Sequence, residues 1–137
     1  ASLQHPVPAG VTISFLPSRG ALKGMTYYDQ KHVDIYVQSC SSESDSLLRH
    51  VVAHEMGHAW DAAHMSTDLR AAYLKARGIA AGTPWFGCNG CQDFATPAGD
   101  FAETYAQWQR AASDSRSKLA APASPTQLES LAASFFR

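Results

Sequence analysis

His54-Glu55-Met56-Gly57-His58 constrains this chain more than any other five residues. Four residues turn an α-helix by about 400° and advance it by about 6 Å, so on a helix the two imidazoles leave one face a turn apart and can close on one ion. Glu55 then points about 100° away from His54, beside such an ion and not onto it, where a base acting on a metal-bound water belongs. The alternative is two helix-surface histidines with a glutamate between them, so the surrounding pattern has to support the motif.

It does. Val11-Thr12-Ile13-Ser14-Phe15 alternates apolar and polar residues at period two before Pro17 and Gly20, which predicts a strand. Residues 25–28 and 33–37 repeat the signature across Asp29-Gln30-Lys31-His32 and predict a hairpin. The Ser-rich stretch 39–46 offers N-caps for a helix over 45–64, which carries the motif. A second, surface-lying helix is predicted from Ser66 or Thr67 to Arg77, closed by Gly78. Residues 79–95, with glycines, Pro84, Cys88 and Cys91, read as a long ordered loop of the kind that often serves function. Thr96-Pro97 opens a helix to about Ala112, residues 113–123 form a polar connector, and Ser124-Pro125-Thr126-Gln127 caps a last helix through Phe136. The expected fold is α+β in a single domain over 1–137: a short twisted sheet, then the helix bearing the motif, then a helix bearing acidic residues.

A net charge of −1 leaves no basic surplus to neutralise phosphates or anionic lipid, so nucleic-acid binding and electrostatic membrane docking are not expected. No apolar run approaches the roughly 20 residues that cross a bilayer. A monomer is expected. The chain opens Ala1-Ser2-Leu3 without Met, so a processed, secreted form that has lost its targeting segment is the expectation. Three cysteines imply one disulfide, Cys88–Cys91 or one of these with Cys40, stapling the loop ahead of the acidic helix.

A catalytic zinc needs a third protein ligand and an open fourth position. His50 lies about 12 Å of helix rise from His58, too far for both to reach one ion through bonds of about 2.1 Å. The remaining acidic source is Asp100-Phe101-Ala102-Glu103-Thr104-Tyr105-Ala106, where Asp100 and Glu103 share one helical face.

These two segments, His54 to Asp61 and Asp100 to Ala106, resemble the zincin metallopeptidases, on the gluzincin-like or aspartate-liganded side. There, HExxH on one helix is completed by an acidic residue from a later helix with a Phe-Ala-Glu segment. In toxin-type zincins the liganding glutamate precedes that Phe by two residues, a slot held here by Gly99. The resemblance implies a zinc metalloendopeptidase with His54, His58 and Asp100 on Zn²⁺, Glu55 as general base, and Glu103 accepting a hydrogen bond from a ligand imidazole. The swap of Asp100 and Glu103 stays open. Asp61, a turn after His58, is a candidate for the same supporting role or a plain surface carboxylate. The resemblance further implies an extended peptide or protein substrate laid antiparallel to an edge strand, with residues 33–38 the candidate, and a tyrosine beside the developing oxyanion, with Tyr105, Tyr27, Tyr28 and Tyr36 as candidates. A metzincin-like site would use His64 as third ligand, although Asp61 stands where that pattern has glycine. A non-proteolytic domain stapled by zinc is the alternative from another functional class.

Overall fold

The structure is a computed structural model that describes residues 3–38 and 45–137. Three strands, β1 (Thr12–Pro17), β2 (Gly24–Tyr27) and β3 (His32–Val37), precede helices α1 (Asp45–His64), α2 (Thr67–Arg77), α3 (Pro97–Arg110) and α4 (Pro125–Phe135), with a short 3-10 turn at Asp93–Ala95. The class is α+β, as expected. Cys40 and the capping serines at 39, 41, 42 and 44 lie outside the described residues.

Local chemistry sets the helix ends. Ser66 caps α2 by accepting from the Leu69 N–H, and Gly78 closes it at φ 67°, a left-handed conformation that suits glycine. Thr96 and Ser124 cap α3 and α4 in the same way, each followed by proline, whose missing N–H costs nothing in a first turn. The expected end of α3 near Ala112 comes slightly earlier, because Ala111 turns left-handed at φ 48°.

The sheet order is β1-β3-β2, with β1 parallel and β2 antiparallel to β3. The hairpin of β2 and β3 forms as expected. One expectation is corrected: the strand over 33–38 is not an edge, because β1 returns to pair with its far side. Val33 and Ile35, both fully buried, are the reason for its central place. The free edge beside α1 belongs to β2.

β3 and α1 close over a core of Val33, Ile35, Met56, Trp60 and Tyr73, continued by Phe101, Tyr105 and Trp108 of α3. Phe136, just past α4, packs its ring edge against Phe101 and Tyr105 at 5.3 Å centroid separation, which seals the far side of α3. Helix α2 is less superficial than expected, since Tyr73, Leu74 and Arg77 are buried.

Helices α1 and α3 nearly touch at Gly57. A Cβ there would lie 2.7 Å from the Ala102 Cα, a backbone atom that cannot swing aside. Glycine in mid-helix ordinarily costs about 1 kcal/mol against alanine. Here the space it leaves brings the two site-bearing helices together. Gly57→Ala is therefore expected to destabilise the fold by about 1–3 kcal/mol through overpacking, read as a lowered urea midpoint; a gain in stability would show that the helices do not depend on this contact.

Candidate functional site

His54 and His58 lie one turn apart on α1, and their Nε2 atoms approach to 3.1 Å. A carboxylate oxygen faces both: Asp93 Oδ2 is 2.8 Å from His54 Nε2 and 3.2 Å from His58 Nε2. Bonds of about 2.0–2.1 Å to a tetrahedral ion put ligand atoms roughly 3.3 Å apart, so the three separations suit a zinc site. Both rings are buried, whereas the Asp93 side chain is 45% exposed.

A layer of partners behind each imidazole fixes which nitrogen faces the carboxylate. His54 Nδ1 lies 2.7 Å from Glu103 Oε1, and an ionised carboxylate only accepts, so Nδ1 carries the proton and Nε2 is the nitrogen that faces Asp93. Glu103 itself is fully buried, and its oxygens also accept from His50 Nε2 at 2.8 Å and the Arg116 N–H at 2.5 Å. Arg110 donates to His50 Nδ1, which keeps that ring's proton on the side of Glu103. The supporting role expected for Glu103 matches this geometry. His50, His54 and Glu103 also form a cluster that can hold a metal, but it lies behind the histidine pair, away from the half-exposed Asp93.

His58 has an equivalent partner of different chemistry. Tyr28 Oη lies 2.9 Å from His58 Nδ1 and gives its one proton to Asp61 Oδ2, also at 2.9 Å. His58 must then donate from Nδ1, which again presents Nε2. Asp61 is no surface carboxylate: fully buried, it also accepts from Arg70 Nε and Trp85 Nε1. Burial first, and then the Asp61 charge, push the Tyr28 hydroxyl far above its usual range, so it stays a proton donor.

Asp100 does not reach the histidine pair, which corrects the expected ligand set. Its carboxylate receives Arg77 Nε and NH2 at 2.9 and 3.0 Å, Tyr73 Oη at 2.8 Å and Ser117 Oγ at 2.6 Å. With four donors on it and no exposure, it ties α2 to α3. Asp93, in the 3-10 turn before α3, stands where Asp100 was expected. Gly99 explains the exchange. A Cβ at position 99 would lie 2.0 Å from the Asp93 carbonyl oxygen and 3.0 Å from Oδ2, so the place of a helix-borne ligand is filled by the preceding turn. Cys88 and Cys91 are disulfide-bonded two residues before that turn, one of the pairings expected.

Two further candidates lie elsewhere. His64 is exposed at the end of α1, stacked on Trp60 at 4.2 Å, because an unbroken helix carries it around from His58. Tyr105 is buried in the aromatic core and donates to the Pro6 carbonyl, so it cannot meet an oxyanion in the cleft. Tyr27 and Tyr36 direct their hydroxyls at Asp34, and of the four tyrosines Tyr28 alone lines the cleft.

That cleft, about 290 Å³, runs along β2 and is bordered by Glu55, His58, Asp93, Leu22, Met25 and Phe86. Glu55 lies against β2: its Oε2 accepts from the Thr26 hydroxyl at 2.6 Å, and a Cβ on Gly24 would fall 2.3 Å from its Oε1.

The charges are balanced around His54. Burial alone would lower its pKa, but hydrogen bonds to Asp93 and Glu103 outweigh that and raise it to about 9. Burial would raise the carboxyls of Asp93 and Glu103, yet the facing histidines hold both well below the usual range. No family model, no curated protein and no solved structure matches the chain.

Asp93→Ala should keep the fold and lose zinc on dialysis, whereas folded Asp100→Ala should keep zinc but be about 3–5 kcal/mol less stable, with Arg77 left buried and unpaired; elemental analysis and urea unfolding read both. Zinc binding must expel the His54 proton, so affinity should rise about tenfold per pH unit from pH 7 to about 9 and then level off. The metal-free protein runs the other way: the stability that the raised His54 pKa contributes is full below the unfolded histidine value of about 6.5 and is lost as pH rises through 9. Competition with a chromogenic chelator and pH-dependent melting measure the two trends; a flat affinity profile would contradict the first.

Proposed function

We propose that this chain is a zinc-dependent metalloendopeptidase. The observation that carries the reading is the convergence of His54 Nε2, His58 Nε2 and Asp93 Oδ2 to within 3.2 Å of one another, on a cleft that Glu55 also borders. Bound zinc supplies Lewis acidity, lowering the pKa of water it holds to about 7 and polarising a carbonyl. His54, His58 and Asp93 would hold it, with the Asp93 side chain half-exposed toward the cleft.

The chain's own residues do the rest. Glu55 takes the proton of the attacking water and returns it to the leaving nitrogen, the work of a carboxylate beside the ion and not bound to it. Glu103 and Tyr28 hold the imidazoles in the tautomers that face the ion. An extended peptide fits along the outer edge of β2, which among the described residues pairs with β3 alone. Leu22, Met25 and Phe86 offer apolar wall to its side chains. The Cys88–Cys91 disulfide supports a secreted setting.

Against a purely structural ion stand the partly exposed third ligand and a glutamate that a closed four-ligand site has no use for. Glu55→Gln separates the readings. It should retain zinc and lose peptide hydrolysis by about 100-fold or more, assayed on a mixed fluorogenic peptide library; full hydrolysis by the zinc-loaded variant would contradict the proposal.

A further inference from the structure

Glu55 is a long side chain with three rotatable bonds, and a base acting on a water held by its neighbours needs one orientation. α1 fixes only its Cα and Cβ. Two residues of the facing strand fix the remainder. The Thr26 hydroxyl has a single proton and two acceptors in reach, Glu55 Oε2 at 2.6 Å and the Glu55 carbonyl at 3.1 Å. The shorter, charge-assisted bond holds the carboxylate. Thr26 is itself fixed, because its β-branched side chain is stiff at χ1 and its backbone is paired with Val33 in the sheet. Two positions earlier on the same face of β2, Gly24 has no side chain, and Glu55 Oε1, Cδ and Cγ occupy the volume that a Cβ would need, at 2.3 to 2.6 Å.

We infer that Thr26 is a positioning residue for the general base: its hydroxyl locks the Glu55 carboxylate against the bare backbone of Gly24. With Oε2 taken by Thr26, Oε1 is the oxygen left to exchange protons. The strand that lines the substrate cleft thereby also orients the base, so the cleft wall and the base move together. The inference rests on the peptidase reading for its kinetic consequence, and on geometry alone for the position of Glu55.

The test uses zinc-loaded protein and two substitutions. Thr26→Val keeps the shape and strand propensity of threonine without the hydroxyl, and Thr26→Ser keeps the hydroxyl. Thr26→Val is expected to lower kcat about 10- to 100-fold, the usual consequence of a misplaced reacting group, with KM and zinc content unchanged, and Thr26→Ser to recover most of the loss. An unchanged kcat in Thr26→Val, a change confined to KM, or a Thr26→Ser variant as slow as Thr26→Val would each overturn it. Crystal structures of the zinc-loaded wild type and Thr26→Val read the same claim without activity: Glu55 should sit on Thr26 in the first and leave that position in the second. An identical Glu55 in both overturns the inference. Absence of hydrolysis by wild type, with Glu55 seated on Thr26 and released in Thr26→Val, would instead refute the peptidase reading and leave the positioning intact.

Discussion

The fully buried carboxylate of Glu103 is the interaction around which the site is organised. A buried carboxylate without partners is costly, so the needs of its two oxygens have to be met from within the protein. His50, His54 and the Arg116 amide meet them, and in doing so they join α1, α3 and the connector after α3. The contact is possible because Gly57 lets α3 come against α1. The charge that stabilises this junction also sets the tautomer of His54, so fold stability and ligand presentation rest on the same atoms. His58 reaches the same result through a neutral phenol backed by buried Asp61.

Two aspartates seven residues apart have exchanged their apparent parts. Asp100 sits on the acidic helix where a ligand was expected, yet it receives two guanidinium nitrogens and two hydroxyls and has nothing left to offer an ion. Asp93 sits in a short turn, partly exposed, with one oxygen directed at both histidines. Electrostatics separates the two. A buried aspartate facing an arginine is a cross-link, whereas a half-exposed one facing two imidazoles is able to trade their protons for a metal.

The legibility of this site in the sequence follows from how local each determinant is. The histidine pair, Glu55 and the bounds of α1 and α2 depend on spacing and capping within a few residues, and they were readable. Of the expected pair on α3, Glu103 lies beside His54 whereas Asp100 turns to Arg77, because i, i+3 spacing puts two residues on one helical face without setting what each meets. Asp93 was not readable, since a loop residue's direction depends on how residues 79–95 fold back, and no periodicity describes that. One signal was present: Gly99 occupies the slot of a helix-borne ligand, and a glycine there implies that something else needs the space. The central position of β3 was likewise hidden, because the parallel return of β1 is a tertiary choice; the two fully buried residues Val33 and Ile35 show its physical cause.

Anomalous diffraction at the zinc edge from crystals of the zinc-loaded protein tests whether Asp93 completes the histidine pair as a metal centre. One strong peak is expected within about 2.0–2.2 Å of His54 Nε2, His58 Nε2 and a carboxylate oxygen of Asp93. A peak between His50 and Glu103, a peak bound by Asp100, or no peak at the histidine pair would contradict it.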